Sequence, residues 1–169
     1  MSKSGKVEII SEGLIRKLFD ESLSNKRRRI NYNLHNPEDP YQRFINVINT
    51  DSYMRPHRHQ TGDDETFIIL QGACLVLIFG DLGNIIAAHL LNTARGNYCV
   101  DIVAGVWHTL LALTDGTAVI EAKAGPYDPD TAKYFAPWAP EEGTEQSKMF
   151  LTALFQSAVV KACIQTFEF

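Results

Sequence analysis

The stretch Pro56-His57-Arg58-His59, followed by Glu65 and later by His108, contains the residues that decide how this chain is interpreted. Side chains alternate between the two faces of an extended strand, so His57 and His59 point to the same side. Glu65 begins one apolar run and His108 begins another, which lets both enter the same place from neighbouring strands. Imidazole and carboxylate groups together suit iron, manganese, nickel, cobalt or zinc. The four residues therefore predict a site for one divalent transition metal.

Strand-like segments surround this motif at short intervals. Runs rich in β-branched and aromatic residues, separated by Gly, Asn, Asp and Pro, are typical of strands joined by turns. The predicted strands cover residues 30–34, 41–50, 53–59, 65–71, 73–79, 85–91, 98–103, 107–113 and 117–124. Many short strands with few helices favour a double-sheet jelly-roll barrel. We therefore predict an all-β fold.

Helical segments are predicted on either side of the barrel. Ser11 and the apolar residues that follow it at helical spacing predict an amphipathic helix over residues 11–24, which would cover an open end or edge of the barrel. Near the other end, residues 145–157 are predicted to be helical, while residues 159–169 are compatible with helix or strand.

The C-terminal extension is mostly apolar. Its large apolar residues are Met149, Phe150, Leu151, Leu154, Phe155, Val159, Val160, Ile164, Phe167 and Phe169. An exposed patch of that size is unusual in a monomer, so we expect the extension to pack on its own barrel or on a partner subunit. Identical chains pair readily through an exchanged terminal element, which favours a symmetric homodimer.

The organisation that follows has one core and several appendages. With 169 residues, of which 45% are hydrophobic, the chain suits one well-buried domain. We divide it into an N-terminal helix and arm (1–26), a barrel (27–127), a surface-wrapping segment (128–143) and a C-terminal extension (144–169). Trp138, in the wrapping segment, is expected to anchor packing, with a stacking platform for a ligand as the alternative.

Composition argues against several classes of protein. A net charge of -4, with Lys26–Arg29 as the main basic run, gives no sign of nucleic-acid binding. Three widely spaced cysteines without a C-x-x-C pair indicate neither a disulfide framework nor a thiolate metal site. The first residues lack the apolar core of a secretion signal, and polar residues interrupt the apolar C-terminal run too often for a membrane span. We therefore expect a cytoplasmic protein that takes a small-molecule ligand.

The histidine motif resembles the two motifs of the cupin superfamily. The first is read from Asp51 to Gly72 and the second from Asn97 to Ala112. The departures from these motifs are Asp51 for Gly, Val103 for Pro, Ala112 for Asn, and five residues instead of three or four between His59 and Glu65. All four ligand positions are nevertheless present. The resemblance implies a cupin double-stranded β-helix.

Four further phrases are similar to the WbuC family of cupin-fold metalloproteins. They are Asn33-Leu34-His35, Tyr53-Met54-Arg55-Pro56-His57-Arg58-His59, Glu121-Ala122-Lys123-Ala124-Gly125-Pro126-Tyr127 and Phe135-Ala136-Pro137-Trp138-Ala139-Pro140-Glu141-Glu142-Gly143. This resemblance spans roughly residues 14–143. It implies a small barrel with a bound metal, in a family often encoded beside polysaccharide biosynthesis genes, and it implies no particular reaction.

Polar residues around the expected site are candidates for ligand binding and catalysis. Glu121 and Lys123 share one face of their predicted strand, as do Asn33 and His35. The family resemblance implies that these residues, together with Arg28 and Arg43, line the cavity. Arg28, Asn33 and Arg43 would then bind the ligand, while His35, Glu121 and Lys123 would be catalytic. The alternatives are a solvent-exposed charged pair on the strand and a hydrogen-bonded turn before Pro37.

Two functions fit this sequence. Four protein ligands on a metal that prefers six leave about two positions for water or substrate oxygens. The leading hypothesis is a metal-dependent enzyme for a small anionic or sugar-derived metabolite, an isomerase, epimerase, lyase or dioxygenase, because fold does not dictate reaction. The other is a non-catalytic module that binds or senses a small ligand through the metal.

Overall fold

Two antiparallel sheets face each other in the computed structural model, which describes residues 7–166. The strands are β1 (Arg29–Asn33), β2 (Tyr41–Ile48), β3 (His57–Arg58), β4 (Glu65–Gln71), β5 (Cys74–Phe79), β6 (Ile85–Leu91), β7 (Cys99–Ile102), β8 (Trp107–Ala112), β9 (Thr117–Ala124) and β10 (Tyr134–Phe135). The first sheet has the order β1-β2-β9-β4-β7 and the second β10-β3-β8-β5-β6. The chain crosses repeatedly between the sheets, as in a jelly roll, which confirms the predicted all-β fold.

Apolar side chains from both sheets fill the space between them. Phe67 of β4, Val76 of β5 and Leu110 of β8 are each at most 2% exposed and belong to one cluster. Alternation along each strand places these residues inside and their neighbours outside. The outer faces of the two sheets must therefore be covered separately.

Helix α1 (Glu12–Ser24) covers the outer face of the first sheet. It begins after Ser11, whose hydroxyl accepts a hydrogen bond from the Leu14 amide at 3.3 Å. Ile15 and Leu18 then pack against Ile45 and related outward-facing residues of the sheet. The helix predicted over residues 11–24 is confirmed.

Helices α2 (Glu145–Gln156) and α3 (Ala158–Gln165) cover the outer face of the second sheet. Leu154 and Val160 are buried there with Leu75 and Leu77 of β5. The C-terminal extension therefore packs on its own barrel, one of the two expected arrangements, while Met149 and Val159 of the predicted patch stay exposed. Phe167 and Phe169, which we expected in the same patch, lie outside the described residues.

The two C-terminal helices have the length and apolar composition of a membrane span only when they are taken together. Within residues 7–166, no single helix is long and apolar enough to cross a bilayer, and the pair Glu145–Gln156 and Ala158–Gln165 is bent by 53° at its break.

The segment before the histidine motif departs from the predicted strand over residues 53–59. Only His57–Arg58 forms strand pairs, because the preceding backbone bonds to side chains instead: the Arg55 amide donates to Glu142 at 3.1 Å, and Pro56 has no amide hydrogen. The carbonyl of Pro56 accepts from Ala136 at 2.9 Å, which continues the pairing of β3 with the unpredicted strand β10.

The segment after β10 holds a cluster of aromatic rings. The ring centroid of Trp138 lies 5.1 Å from that of Phe79 and 6.3 Å from those of Trp107 and Phe150. These contacts join the wrapping segment to the second sheet and to α2. The packing role predicted for Trp138 is confirmed.

Candidate metal centre

Three strands bring the predicted metal ligands together. His57 of β3 and His108 of β8 are paired in register in the second sheet, and His59 follows two residues after His57 on the same face. Glu65 enters from β4 in the opposite sheet. All four side chains are buried, and one ligand atom from each lies within 4.8 Å of the others. The five-residue gap before Glu65 does not move its carboxylate away from the histidines.

Each imidazole is oriented by a backbone carbonyl. The Nδ1 atoms of His57, His59 and His108 lie 3.0, 2.7 and 2.9 Å from the carbonyl oxygens of Arg55, Ala132 and Val106. A carbonyl only accepts hydrogen bonds, so each Nδ1 carries the proton and donates it. The Nε2 atoms then offer lone pairs to the centre of the cluster, the usual arrangement of metal-binding histidines.

The lone pairs in this cluster need a cation between them. Nε2 of His108 lies 2.9 Å from Oε2 of Glu65, and Nε2 of His59 lies 3.3 Å from the same oxygen. Two acceptors at such distances repel unless a proton or a metal ion lies between them. Nε2 of His57 is buried and has no hydrogen-bond partner among the described residues. The donor set therefore fits a divalent metal held by three imidazoles and one carboxylate.

The charge states of the ligands agree with this fit. Burial, together with the nearby charge of Lys133, holds the pKa of His57 well below its usual value, so this imidazole is neutral and able to bind metal. Burial disfavours the charged form of Glu65, but a hydrogen bond with Glu121, the polar contacts with His108 and His59 and the charge of Lys123 outweigh it and hold the pKa of Glu65 well below its usual range. Glu65 is thus a carboxylate, as a ligand must be.

A second carboxyl group and a lysine support Glu65. Nζ of Lys123 lies 3.4 Å from Glu65 and 3.1 Å from Glu121. Burial and the neighbouring charge of Glu65 raise the pKa of Glu121 to about 8, so Glu121 holds a proton at neutral pH. Asn46 donates to the other oxygen of Glu121 at 2.7 Å. The cluster thus contains a buried acid that can release a proton beside the metal ligands.

Two cavities reach the cluster. One of about 610 Å³ is lined by His57 and opens between the sheets, and a smaller one of about 250 Å³ reaches His59. Lys123 borders both. A volume near 600 Å³ is typical of small-molecule sites. The metal position is therefore accessible to a ligand.

The polar residues named from the sequence fall in different places. Asn33, His35 and Lys123 line the larger cavity, and Glu121 lies behind Lys123. The amide of Arg43 donates to Nδ1 of His35 at 2.9 Å, which orients this ring.

The two predicted arginines do not line either cavity. Arg28 has a left-handed φ of 57° and pairs with Asp51 at 2.8 Å on the surface. Arg43 lies on the opposite face of β2 from Gln42 and Phe44, which do line the cavity. We therefore leave Arg28 and Arg43 out of the ligand site.

Several cavity residues were not singled out from the sequence, namely Arg27, Arg29, Asn31, Arg55 and Lys133. Strand parity with Asn33 would have found Arg29 and Asn31, which recur at every second position of β1, whereas Arg27 lies in the turn before the strand. Lys133 lies in a turn-rich segment without periodicity and gave no signal.

Known proteins resemble this chain in sequence over part of its length and in fold. Residues 10–91 match the family model described as Domain of unknown function (DUF6016), just under half of the chain. No curated protein matches the sequence significantly. Among solved structures, the capsular polysaccharide assembling protein CapF from Staphylococcus aureus is 21% identical with a TM-score of 0.51, over 63% of this chain and 29% of that one.

Two other solved structures are matched over most of their own length. KdgF from Halomonas sp. is 17% identical over 60% of this chain and 83% of that one, with a TM-score of 0.47. A protein of unknown function from Streptococcus pyogenes is 14% identical over 76% and 98%, with a TM-score of 0.49. The fold is assigned from the two facing sheets and from the similarity to CapF, and the kind of site from the buried cluster. This chain is a cupin-fold protein whose histidine and glutamate cluster is suited to a divalent metal.

Proposed function

We propose that this protein is a metal-dependent enzyme that acts on a small anionic or sugar-derived metabolite. The observation that carries the proposal is the unpartnered Nε2 of His57, which belongs to a buried cluster of four ligands and lines a cavity of about 610 Å³. A purely structural metal site is usually closed by its protein ligands. Here a cavity opens directly onto one of them.

The residues around the cavity have the chemistry of an active site. When bound, a divalent metal would act as a Lewis acid on an oxygen of the ligand. Glu121 holds a proton and Lys123 a charge next to Glu65, so proton transfer to or from a ligand is available to this chain. His35 lines the same cavity, with its ring oriented by the backbone amide of Arg43. We assign Glu121, His35 and Lys123 as candidate catalytic residues, with Glu121 and His35 as the candidate acid and base, and Asn33 as a residue that binds the ligand.

The remaining expectations belong to the same proposal. The WbuC resemblance is the ground for a link with polysaccharide biosynthesis. The cytoplasmic location and the symmetric homodimer also remain predictions. Isomerase, epimerase, lyase and dioxygenase reactions all stay open.

Metal analysis of the purified protein tests the foundation of the proposal. We expect about one metal per chain by mass spectrometry, and its loss in the double variant His57→Ala/His59→Ala. His89 is exposed on β6 outside the cluster, so His89→Ala is the matched control and should keep the metal. A double variant with wild-type metal content would contradict the proposed site.

Turnover then separates an enzyme from a binding module. The iron, manganese and zinc forms should be screened against sugar phosphates, uronic acids and small keto and hydroxy acids. Product formation that is lost in Glu121→Gln, with metal retained, would support the enzyme. Saturable, metal-dependent binding without product in every form would instead indicate a non-catalytic module.

A further inference from the structure

Lys133 places an amine without a hydrogen-bonded partner in the wall of the cavity. It lines the larger cavity together with His57, and its charge acts on Glu121, Glu65 and Arg29. Among the described residues, its ammonium group has no hydrogen bond and no ion pair with an acid. A partly buried ammonium group without a hydrogen-bonded partner is costly, so an anion that enters the cavity would stabilise this lysine in its charged form.

The rest of the cavity wall does not supply that anion. The one acidic side chain in the lining is Glu142, and both of its oxygens lie 2.7 Å from Nη2 of Arg29. Lys123 is occupied by Glu65 and Glu121. Arg27, exposed at the mouth, adds a further positive charge. The cavity therefore carries excess positive charge and attracts an anion.

Strand β1 adds a row of polar groups to the same wall. Ile30 and Tyr32 pack beneath α1, so Arg29, Asn31 and Asn33 face the cavity. The amides of Asn31 and Asn33 make no side-chain hydrogen bonds within the described part of the chain. Each amide offers two donors and one acceptor, which suits hydroxyl groups. This row extends about 13 Å along the strand, at about 3.3 Å per residue.

We infer that Lys133 and the polar row of β1 form a subsite for a hydroxylated organic anion, a sugar acid or a sugar phosphate. Lys133 binds the carboxylate or phosphate, while Asn31 and Asn33 bind hydroxyl groups further along the cavity. This inference rests on the proposed function, because it places the metabolite in the cavity that opens onto the metal. It narrows the substrate to molecules that carry both a charge and several hydroxyl groups.

Isothermal titration calorimetry of the full chain, with its metal content quantified, tests the charged part of the subsite. The probes are glucuronate, glucose 6-phosphate and neutral glucose. We expect at least one anionic sugar to bind and glucose to bind much more weakly, and the preferred anion identifies the charged group. Lys133→Gln and Lys133→Met should weaken binding about 10- to 100-fold, as for loss of a hydrogen bond to a charged group, with metal content unchanged.

The matched control for this experiment is Lys148→Gln. Lys148 is an exposed lysine on α2 that pairs with Glu145 at 3.0 Å and does not belong to the cavity lining. Its substitution should leave the affinity for the anionic sugar unchanged. Equal affinities in Lys133→Gln and wild type, or no binding of either anionic probe, would overturn the subsite.

The amide row has its own test. Asn31→Ala/Asn33→Ala should weaken binding of the anionic sugar severalfold, whereas Tyr32→Phe, on the opposite face of the same strand, should not. Titrating the metal-free form as well separates the two proposals. Absence of metal in the purified protein would count against the proposed function. If the metal is bound and the affinity for the anionic sugar is the same with and without the Lys133 side chain, the result counts against the subsite alone.

Discussion

At the scale of single residues, the buried guanidinium of Arg29 depends on one acid. The Arg29 side chain is 6% exposed and pairs with Glu142, which is 29% exposed. It also donates to the carbonyl of Tyr53 at 2.8 Å, so it links β1 to the chain before the histidine motif. Removing one partner of a buried pair costs about 3–5 kcal/mol, and partial exposure of Glu142 favours the lower figure. We therefore expect Glu142→Ala to lower the free energy of unfolding by about 3 kcal/mol in urea denaturation.

The neighbouring residue provides the control for this prediction. Glu141 is exposed and its side chain has no ion pair in residues 7–166. Glu141→Ala should change stability by less than about 0.5 kcal/mol, as is usual for surface positions. Similar losses in the two variants would show that the guanidinium is stabilised by something other than Glu142.

The four residues of the candidate metal centre were predictable from sequence because two local signals coincide. The alternation of His57 and His59 fixes one pair, and apolar runs at Glu65 and His108 mark the strands that supply the others. Lys133 was not predictable in this way, since a turn-rich segment has no periodicity from which to infer direction. Arg43 was predicted wrongly for a different reason. It was chosen because it matches a family position, and such a match does not reveal on which face of β2 the side chain lies.

At the scale of structural elements, the turn between β4 and β5 requires glycine. Gly72 has a φ of 79°, and a Cβ atom there would lie 2.6 Å from Oγ1 of Thr117 and 2.8 Å from Oγ1 of Thr114. Both threonines hydrogen-bond the Ala73 amide, so they cannot withdraw freely. Gly72→Ala combines backbone strain of about 1–2 kcal/mol with overpacking of about 1–3 kcal/mol. We expect a loss of about 3 kcal/mol, measured by thermal and urea unfolding.

Gly62 separates the two contributions. It also has a positive φ, 93°, but a Cβ there would meet nothing within 4 Å. Gly62→Ala should therefore cost the backbone strain alone, about 1–2 kcal/mol. If both variants lose the same stability, Thr114 and Thr117 do not crowd the turn.

Docking of α2 on the second sheet gives a further prediction at this scale. Leu154 is 5% exposed and packs with residues of β5, whereas Met149 on the same helix is 68% exposed. Leu→Ala substitutions in cores cost about 2–5 kcal/mol. Leu154→Ala should lower the free energy of unfolding by about 2–3 kcal/mol, and Met149→Ala should have little effect. Tryptophan fluorescence can follow the unfolding, since Trp138 contacts Phe150 of the same helix.

Strands were predicted correctly where the hydrophobic pattern of the sequence matches the strand pairing in the sheets. Strands β4, β6 and β9 have the predicted bounds, because each is a continuous apolar or alternating run bordered by turn residues. The short strands β3 and β10 pair with each other over two residues, and their existence depends on where the wrapping segment crosses the barrel. Such long-range pairing has no local signature in the sequence.

At the scale of the whole molecule, the fold has layers that depend on one another. Helix α1 covers the first sheet, α2 and α3 cover the second, and the apolar core lies between the sheets. The metal cluster belongs to both sheets at once, because β4 supplies Glu65 while β3 and β8 supply His57 and His108. A bound metal would therefore join the two sheets across the core as well as form a site.

This arrangement predicts that metal binding stabilises the complete fold. A ligand at 100 times its Kd adds about 2.7 kcal/mol, which for a domain of this size corresponds to a rise in Tm of about 5–10 °C. We expect that rise when metal is returned to protein stripped with a chelator, measured by differential scanning calorimetry. The rise should vanish in His57→Ala/His59→Ala, which lacks two of the four candidate ligands, and persist in His89→Ala, whose exposed histidine lies outside the cluster. A metal-dependent rise of equal size in the double variant would mean that the stabilising ion binds elsewhere, and the cluster would then not be the link between the sheets.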